Sequence, residues 1–173
     1  MSVDGEIKKI NASQVDRVME IIADGREYLK YQGLSQWQNG GDPKRDDVER
    51  DAAMGEGYAL HAGGIFCGYA ALCTGVDEYY TRITGGSWDE RYAEYISIHR
   101  FALCAAFRGK GLSEPFLRGL LETARKLGYR DVRIDTHRGN KIMRKLIDRA
   151  GFVYRGTVVF PVPDGERMAF QKI

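Results

Sequence analysis

The chain has 173 residues, a length that suits one ordinary domain with a sizeable hydrophobic core. Apolar residues make up 43% of it and charged residues 29%, which is near the globular average and excludes a disordered or fibrous protein. The net charge of +2 conceals −7 over residues 1–99 and +8 over residues 100–150, which indicates one anion-binding face rather than a general nucleic-acid coat.

The first half of the chain is predicted to form two helices and a hairpin. Ser13 is a candidate N-cap for the first, amphipathic helix, and Asp42-Pro43 opens a shorter acidic helix. Gly63-Gly64 between two apolar runs is a strong hairpin signal. The predicted elements are helices over 13–33 and 42–54, strands over 58–62 and 65–72, and a loop over 74–91.

The second half alternates strands and helices and ends in two strands joined by a turn at 161–165. The predicted strands are 95–103, 131–136, 152–160 and 167–173, and the predicted helices are 112–127 and 140–150. Neither a repeat nor a low-complexity linker interrupts this order. We therefore predict a single α/β (α+β) domain over residues 1–173, built around one mixed sheet.

A glycine-rich basic loop, Arg108-Gly-Lys-Gly-Leu-Ser113, lies between a predicted strand and a predicted helix, and we call it the phosphate loop. The first N–H groups of a helix lack intrahelical partners, and the helix dipole is positive there. Glycines let a phosphate approach those groups, and Arg108 and Lys110 add positive charge. The alternative is a basic turn before a helix.

Two well-known phosphate motifs do not fit this loop. A Walker A loop requires Ser or Thr after Gly-Lys, where this chain has Gly111, and its first glycine position is occupied by Cys104. A dinucleotide-binding fingerprint requires a third glycine, where Glu114 stands.

The loop resembles the acyl-CoA pyrophosphate loop of the GNAT superfamily of N-acetyltransferases, Arg-x-x-Gly-x-(Gly/Ala), with Ser113 in the last position. Residues 99–103 resemble the fourth strand of that family. Residues 134–152, which include Asn140 and Gly151-Phe152, resemble its second conserved block. Three further segments resemble a bacterial branch of the superfamily: 36–38, 68–69 and 85–88.

The resemblance implies a mixed, mostly antiparallel sheet flanked by helices, whose fourth and fifth strands splay apart around the pantetheine arm of acetyl-CoA. A backbone N–H of Ala102 or Leu103 would polarise the thioester carbonyl. Asn140 would bond the arm, although a plain helix N-cap is a compatible alternative. The residues implied to bind CoA are Phe101, Ala102, Leu103, Arg108, Gly109, Lys110, Gly111, Leu112, Ser113, Asn140 and Met143.

The reaction that the resemblance implies is direct attack on the thioester by a primary amine of a small molecule or peptide, which requires a base. His99 is the first candidate, with a core histidine as the alternative. His137, just past the fifth strand, is a further candidate, with a supporting or helix N-terminal role as the alternative. Glu94 is another, with a solvated carboxylate as the alternative. Many relatives place a tyrosine that protonates the CoA thiolate where this chain has Ile147, so the acid is unassigned.

Other polar and aromatic residues near the expected cleft have two interpretations each. Asp135 either orients His99 or His137, or pairs with Arg133 or Arg138. The aromatic loop residues are either walls of an acceptor pocket or packing lids over the core: Trp37, Tyr79, Tyr80 and Trp88.

The remaining expectations concern compartment and partners. Three cysteines without a CxxC pair, no apolar stretch of signal-peptide length and no membrane span indicate a cytoplasmic protein. We expect no metal, nucleic-acid or membrane partner, and relatives of this fold often form homodimers. The alternatives are a CoA-binding regulatory module without catalysis, favoured by Ile147, and a nucleic-acid-binding domain that uses the basic block.

Overall fold

The computed structural model describes residues 5–173 and arranges seven strands in one sheet with four helices. The strands are β1 (Gly5–Lys9), β2 (Gly57–Ala62), β3 (Ile65–Thr74), β4 (Tyr95–Leu103), β5 (Asp131–Thr136), β6 (Val153–Val159) and β7 (Glu166–Lys172). The helices are α1 (Val15–Tyr31), α2 (Arg45–Met54), α3 (Ser113–Lys126) and α4 (Lys141–Arg149).

The sheet has the order β1-β2-β3-β4-β5-β7-β6. Among these strands β4 and β5 run parallel, and the other neighbouring pairs are antiparallel. The parallel pairing extends from Tyr95 opposite Asp131 to Ile98 opposite Ile134, although β4 continues to Leu103. The two strands therefore separate beyond Ile98, which confirms the mixed, mostly antiparallel sheet with a splay between its fourth and fifth strands.

A β-bulge in β4 lies where this separation begins. Tyr69 pairs with Ala102 and Ala71 with His99, so β4 has one residue more than β3 between these pairs. Arg100 lies within that span with a left-handed backbone (φ 57°), which is costly for a residue with a side chain. Its guanidinium forms two hydrogen bonds to the buried Asp51 of α2, at 2.6 and 2.8 Å. This ion pair holds the bulge in place.

The side chains of β5 alternate between two faces of the sheet. Val132 and Ile134 belong to the main hydrophobic core. Arg133 points to the opposite face, with its guanidinium 4.4 Å from the ring of Trp88 and 3.8 Å from that of Tyr95. The segment that follows β3 thus covers this second face, to which the alternation also directs Asp135.

The predicted helices and strands are confirmed, with shifted bounds and two corrections. Strand β1, a five-residue edge strand that is mostly exposed, was not predicted from the sequence. Ser13 is not the N-cap, because Asn11 accepts a hydrogen bond from the backbone N–H of Ser13 and caps the 3-10 turn that leads into α1. Within residues 5–173, no helix combines the length and apolar character needed to cross a bilayer.

Candidate functional site

A cavity of about 440 Å³ opens where β4 and β5 separate. This volume is typical of ligand-binding cavities. At one end, which we call the glycine end, it is lined by Arg108, Gly109 and Ser113 of the phosphate loop. At the other, the histidine end, it is lined by His99, Asp135 and Arg167. One cavity therefore joins a basic loop to a cluster of titratable groups.

The backbone of the phosphate loop exposes a row of hydrogen-bond donors. Gly109 and Gly111 have left-handed backbones (φ 73° and 75°), a conformation that glycine adopts without strain. Within residues 5–173, the N–H groups from Gly109 to Ser113 have no protein acceptor, and no side chain caps α3. Unpaired donors at a helix N-terminus are a site for an anion such as a diphosphate.

The two basic side chains of the loop are placed differently. Arg108 donates from Nη2 to the carbonyl of Leu103 at 2.9 Å, and its guanidinium lies 4.5 Å from the ring of Tyr28. Lys110 is exposed, with its Nζ 4.8 Å from the ring of Phe107. Arg108 therefore ties the loop to the end of β4 as well as adding charge, whereas Lys110 adds charge alone.

The end of β4 presents unpaired backbone groups to the gap beside β5. The N–H of Cys104 donates to the carbonyl of Cys67 on β3 at 2.8 Å. Since successive N–H groups of an antiparallel strand point in opposite directions, the N–H of Ala102 also faces β3 and that of Leu103 faces the gap. The ring of Phe101 stacks on Phe116 at 4.9 Å and is thus anchored to α3.

Asn140 is the N-cap of α4, because its side-chain oxygen accepts from the backbone N–H of Met143 at 3.1 Å. Its amide nitrogen donates to Gln36 at 3.2 Å. Asn140, Met143 and Gln36 all line the cavity. The capping interpretation is confirmed, and a contact with a bound arm remains compatible with it.

His99 at the histidine end is held by a partly buried carboxylate, that of Asp77. Its Nε2 lies 2.9 Å from Oδ2 of Asp77, and its Nδ1 lies 3.9 Å from Oδ1 of Asp135. Burial alone would raise the pKa of Asp77, but the hydrogen bond from His99 lowers it below its usual range. With Asp77 ionised, Nε2 is the protonated nitrogen and Nδ1 keeps a free lone pair.

Asp135 is a largely buried carboxylate whose ionised form is disfavoured by its surroundings. Tyr80 donates to its Oδ1 at 2.7 Å. Burial raises the pKa of Asp135 despite the opposing effects of His99, Tyr80 and Arg167. Asp135 does not pair with either arginine suggested by the sequence, since Arg133 binds Asp131 and Arg138 binds Glu166. Of the alternatives, the structure places it beside His99.

We expect opposite stability effects from removing the charges of Asp135 and Asp131. The raised folded-state pKa of Asp135 means that its ionised form costs stability as the pH rises, so Asp135→Asn should increase the free energy of unfolding at pH 7. Asp131→Asn should decrease it by about 3–5 kcal/mol, because it leaves buried Arg133 without its partner. Urea denaturation at pH 7 measures both.

The two variants control for each other, since both positions are carboxylates on one face of β5, Asp131 fully buried and Asp135 largely so. The gain from Asp135→Asn should shrink as the pH is lowered, because the wild-type carboxyl becomes protonated. A loss of stability in Asp135→Asn equal to that in Asp131→Asn would contradict the expectation and would make Asp135 a structural counter-ion.

Several other sequence candidates lie outside this arrangement. Glu94 is exposed and does not line the cavity, which agrees with the solvated alternative. Ile147 is fully buried in the main core. His137 bonds Asp164 through Nε2 at 2.8 Å and accepts from Gly139 through Nδ1, so both its nitrogens are engaged. Trp37 lines the cavity, whereas buried Trp88 packs against Tyr80 as a lid.

The partners of His99 and Asp135 were not assigned from the sequence. Asp77 lay in the predicted loop over 74–91, Tyr80 was a candidate pocket wall or packing lid, and Arg167 lay in a terminal strand. Asp77 lies 22 residues from His99, and Tyr80 lies 55 residues from Asp135. No local spacing signals such contacts, because the fold brings these positions together.

Comparison with known proteins gives a consistent result. The model of the family described as acetyltransferase (GNAT) matches residues 27–152. A GNAT-family acetyltransferase from Streptococcus agalactiae is 32% identical with a TM-score of 0.88, covering 98% of this chain and 95% of its own. No curated protein matches the sequence.

Two more distant structures share the fold. A GNAT-family acetyltransferase from Listeria monocytogenes is 18% identical with a TM-score of 0.76, and the match covers 97% of this chain and 94% of its own. The PaiA N-acetyltransferase from Thermoplasma acidophilum, solved in complex with coenzyme A, is 12% identical with a TM-score of 0.67. That match covers 98% of this chain and 99% of its own.

Proposed function

The chain belongs to the GNAT family of acetyltransferases, enzymes whose fold binds acetyl-CoA or CoA, and from that premise we propose how its own residues work. The proposed reaction is transfer of an acetyl group from acetyl-CoA to a primary amine of a small molecule or peptide. The observation that carries the proposal is the single cavity that joins the unpaired N–H groups of residues 109–113 to the pair formed by His99 and Asp77.

The residues of the glycine end suit a diphosphate followed by an extended arm. The N–H groups from Gly109 to Ser113 would bind the diphosphate, with Arg108 and Lys110 contributing charge. The open side of β4 at Phe101 and Leu103 would pair with the amides of the arm as a further strand does. Met143 and Asn140 would line its path beside α4.

Catalysis would take place where β4 leaves β5. Bound acetyl-CoA supplies an acyl group activated as a thioester. The N–H of Leu103 faces the gap and is the donor that we assign to the developing negative charge on the carbonyl oxygen, in preference to Ala102, whose N–H faces β3. His99 would accept the proton of the attacking amine at Nδ1, and Asp77 would stabilise the resulting imidazolium.

The chain has no proton donor at the position where many relatives have a tyrosine, because Ile147 is buried and apolar. A thiolate is a tolerable leaving group, so the reaction does not require that acid. The same observation favours a second function, a CoA-binding regulatory module without catalysis. The two functions differ in turnover and share CoA binding.

Two measurements separate the functions. Thermal unfolding with acetyl-CoA, CoA and duplex DNA should show stabilisation by both CoA compounds. Stabilisation by DNA alone would contradict the CoA site. Release of free thiol from acetyl-CoA should then respond to at least one member of a panel of amino acids, monoamines, polyamines, aminoglycosides and peptides. CoA binding with no thiol release for any amine would support the regulatory module.

A further inference from the structure

Arg167 has an unusual environment for a buried arginine. It is 7% exposed, lines the histidine end of the cavity and projects from β7. Its Nη1 donates to the backbone carbonyls of Asp164 and Glu166, at 2.7 and 2.9 Å. Its Nε and Nη2 donate to no acceptor in the described part of the chain, and no carboxylate there lies within ion-pair distance of it.

Two other enclosed arginines, Arg133 and Arg100, are neutralised by carboxylates. Arg133 forms three hydrogen bonds to Asp131, the shortest at 2.8 Å. Arg100 forms two to Asp51, the shorter at 2.6 Å. A buried charge without a partner is costly, and a guanidinium stays protonated at neutral pH. The cavity therefore holds a permanent cation with free donors on the side that a ligand would approach.

The carboxylate of Asp135 acts on Arg167 through its charge but does not form an ion pair with it. Asp135 and Arg167 project from neighbouring strands on the same face, because Asp135 pairs with Ala169, two residues from Arg167. Its Oδ1 accepts from Tyr80, and it forms no hydrogen bond to Arg167. Its own charge is disfavoured by burial. An anion brought by a ligand would meet Arg167 without displacing a protein carboxylate.

We infer that Arg167 binds the carboxylate of the amine acceptor, so that the acceptor is a small free amino acid. The inference rests on the proposed function, because it takes His99 as the group that receives the amine. At Ile98, the last position where β4 pairs with β5, two strand spacings of about 5 Å each separate the backbones of β4 and β7. His99 and Arg167 follow this level and both line the cavity. An acceptor held at both ends must therefore be short.

The size and walls of the cavity support a small, partly apolar acceptor. Its volume of about 440 Å³ has to accommodate the acyl-carrying arm as well as the acceptor. Trp37, Phe160 and Val162 provide apolar surface in the same cavity. The amine, carboxylate and apolar side chain of one amino acid would match His99, Arg167 and these walls respectively.

The experiment compares each apolar amino acid with its amide and its decarboxylated amine, using thiol release by the wild-type enzyme. Charge-assisted hydrogen bonds predict that kcat/KM for the carboxylate form exceeds that for the amide by about 10- to 100-fold. The amine of the amide is less basic, so more of it is neutral at a given pH. This difference favours the amide and therefore works against the expected preference for the carboxylate form. A dipeptide with the same first residue should be a poor substrate.

Variants then assign the preference to Arg167. Arg167→Met should bring the ratio of carboxylate to amide close to one, and Arg167→Lys should give an intermediate ratio. Arg138→Gln is the matched control, because Arg138 is an exposed arginine paired with Glu166 beside Arg167, and it should leave the ratio unchanged. Thermal unfolding reports whether each variant is folded.

The outcomes distinguish this inference from the proposed function. Absence of thiol release with every amine would contradict the proposed function itself. Acetylation of amines without a preference for a carboxylate would leave that function standing and overturn the role of Arg167. An unchanged ratio in folded Arg167→Met would also overturn it. If Arg167→Met does not fold, the ratio of carboxylate to amide in the wild type and in Arg167→Lys decides whether Arg167 binds the carboxylate.

Discussion

Replacing His99 by alanine is expected to lower kcat/KM for the amine acceptor by about 10²- to 10⁴-fold, the usual contribution of a general base. The reason is that Nδ1 of His99 carries the free lone pair at the histidine end, while Nε2 is bonded to Asp77. CoA affinity should stay within about twofold of wild type, since His99 lies at the end of the cavity away from the phosphate loop. Steady-state kinetics and calorimetric titration with CoA measure the two quantities.

The pH dependence tests the role of His99 more directly than the rate alone. An imidazole base acts only when neutral, so wild-type kcat/KM should rise from acidic towards neutral pH, and His99→Ala should lose that rise. The lowered pKa of Asp77 keeps that group ionised over this range, so Asp77 does not supply the rise. Asp135→Asn removes the other carboxyl beside His99 and should retain the rising limb. The charge of Arg167 is constant there.

Two controls accompany the His99 variant. His61→Ala alters a strand histidine remote from the cavity and should behave as wild type. Asp77→Asn should lower the rate while keeping a pH-dependent limb, because it leaves the imidazole in place without its ionised partner. A His99→Ala enzyme with the wild-type pH profile would exclude His99 as the base.

Replacing Gly111 by aspartate is expected to weaken CoA binding by at least about 100-fold. The carboxylate would stand among the unpaired N–H groups at the start of α3 and would repel the diphosphate there. Gly111 is preferable to Arg108 for this test, because Arg108 also binds the carbonyl of Leu103 and its loss would disturb β4. Isothermal titration calorimetry with CoA measures the change in affinity.

Gly128→Asp is the matched control for Gly111→Asp. Gly128 follows the other end of α3 and also has a left-handed backbone (φ 96°). At both glycines, no atom lies within 4 Å of the place that a Cβ would occupy. Both variants therefore carry a similar backbone cost of about 1 kcal/mol, but of the two Gly111→Asp alone places a carboxylate in the phosphate loop. Equal CoA affinities for the two variants would show that the loop does not hold the diphosphate.

The regular elements and the phosphate loop were predictable because their signals are local. Periodic apolar residues specify the helices and strands, and glycines at a helix start leave backbone donors open wherever that helix packs. The missed strand β1 shows the limit of this reasoning. It is a short, mostly exposed edge strand, and its pairing with β2 depends on residues more than fifty positions away.

The uneven distribution of charge along the chain is visible in the sequence, whereas the contacts of the individual charged side chains depend on the tertiary structure. The sequence alone determined a basic block, its glycine-rich loop before a helix, and the family resemblance that the comparison confirms. The tertiary structure decided which side chains meet at the histidine end. Among residues 5–173 it gave His99 its partner Asp77 and left Arg167 without a paired carboxylate, because such contacts arise from the order and register of the strands and not from spacing along the chain.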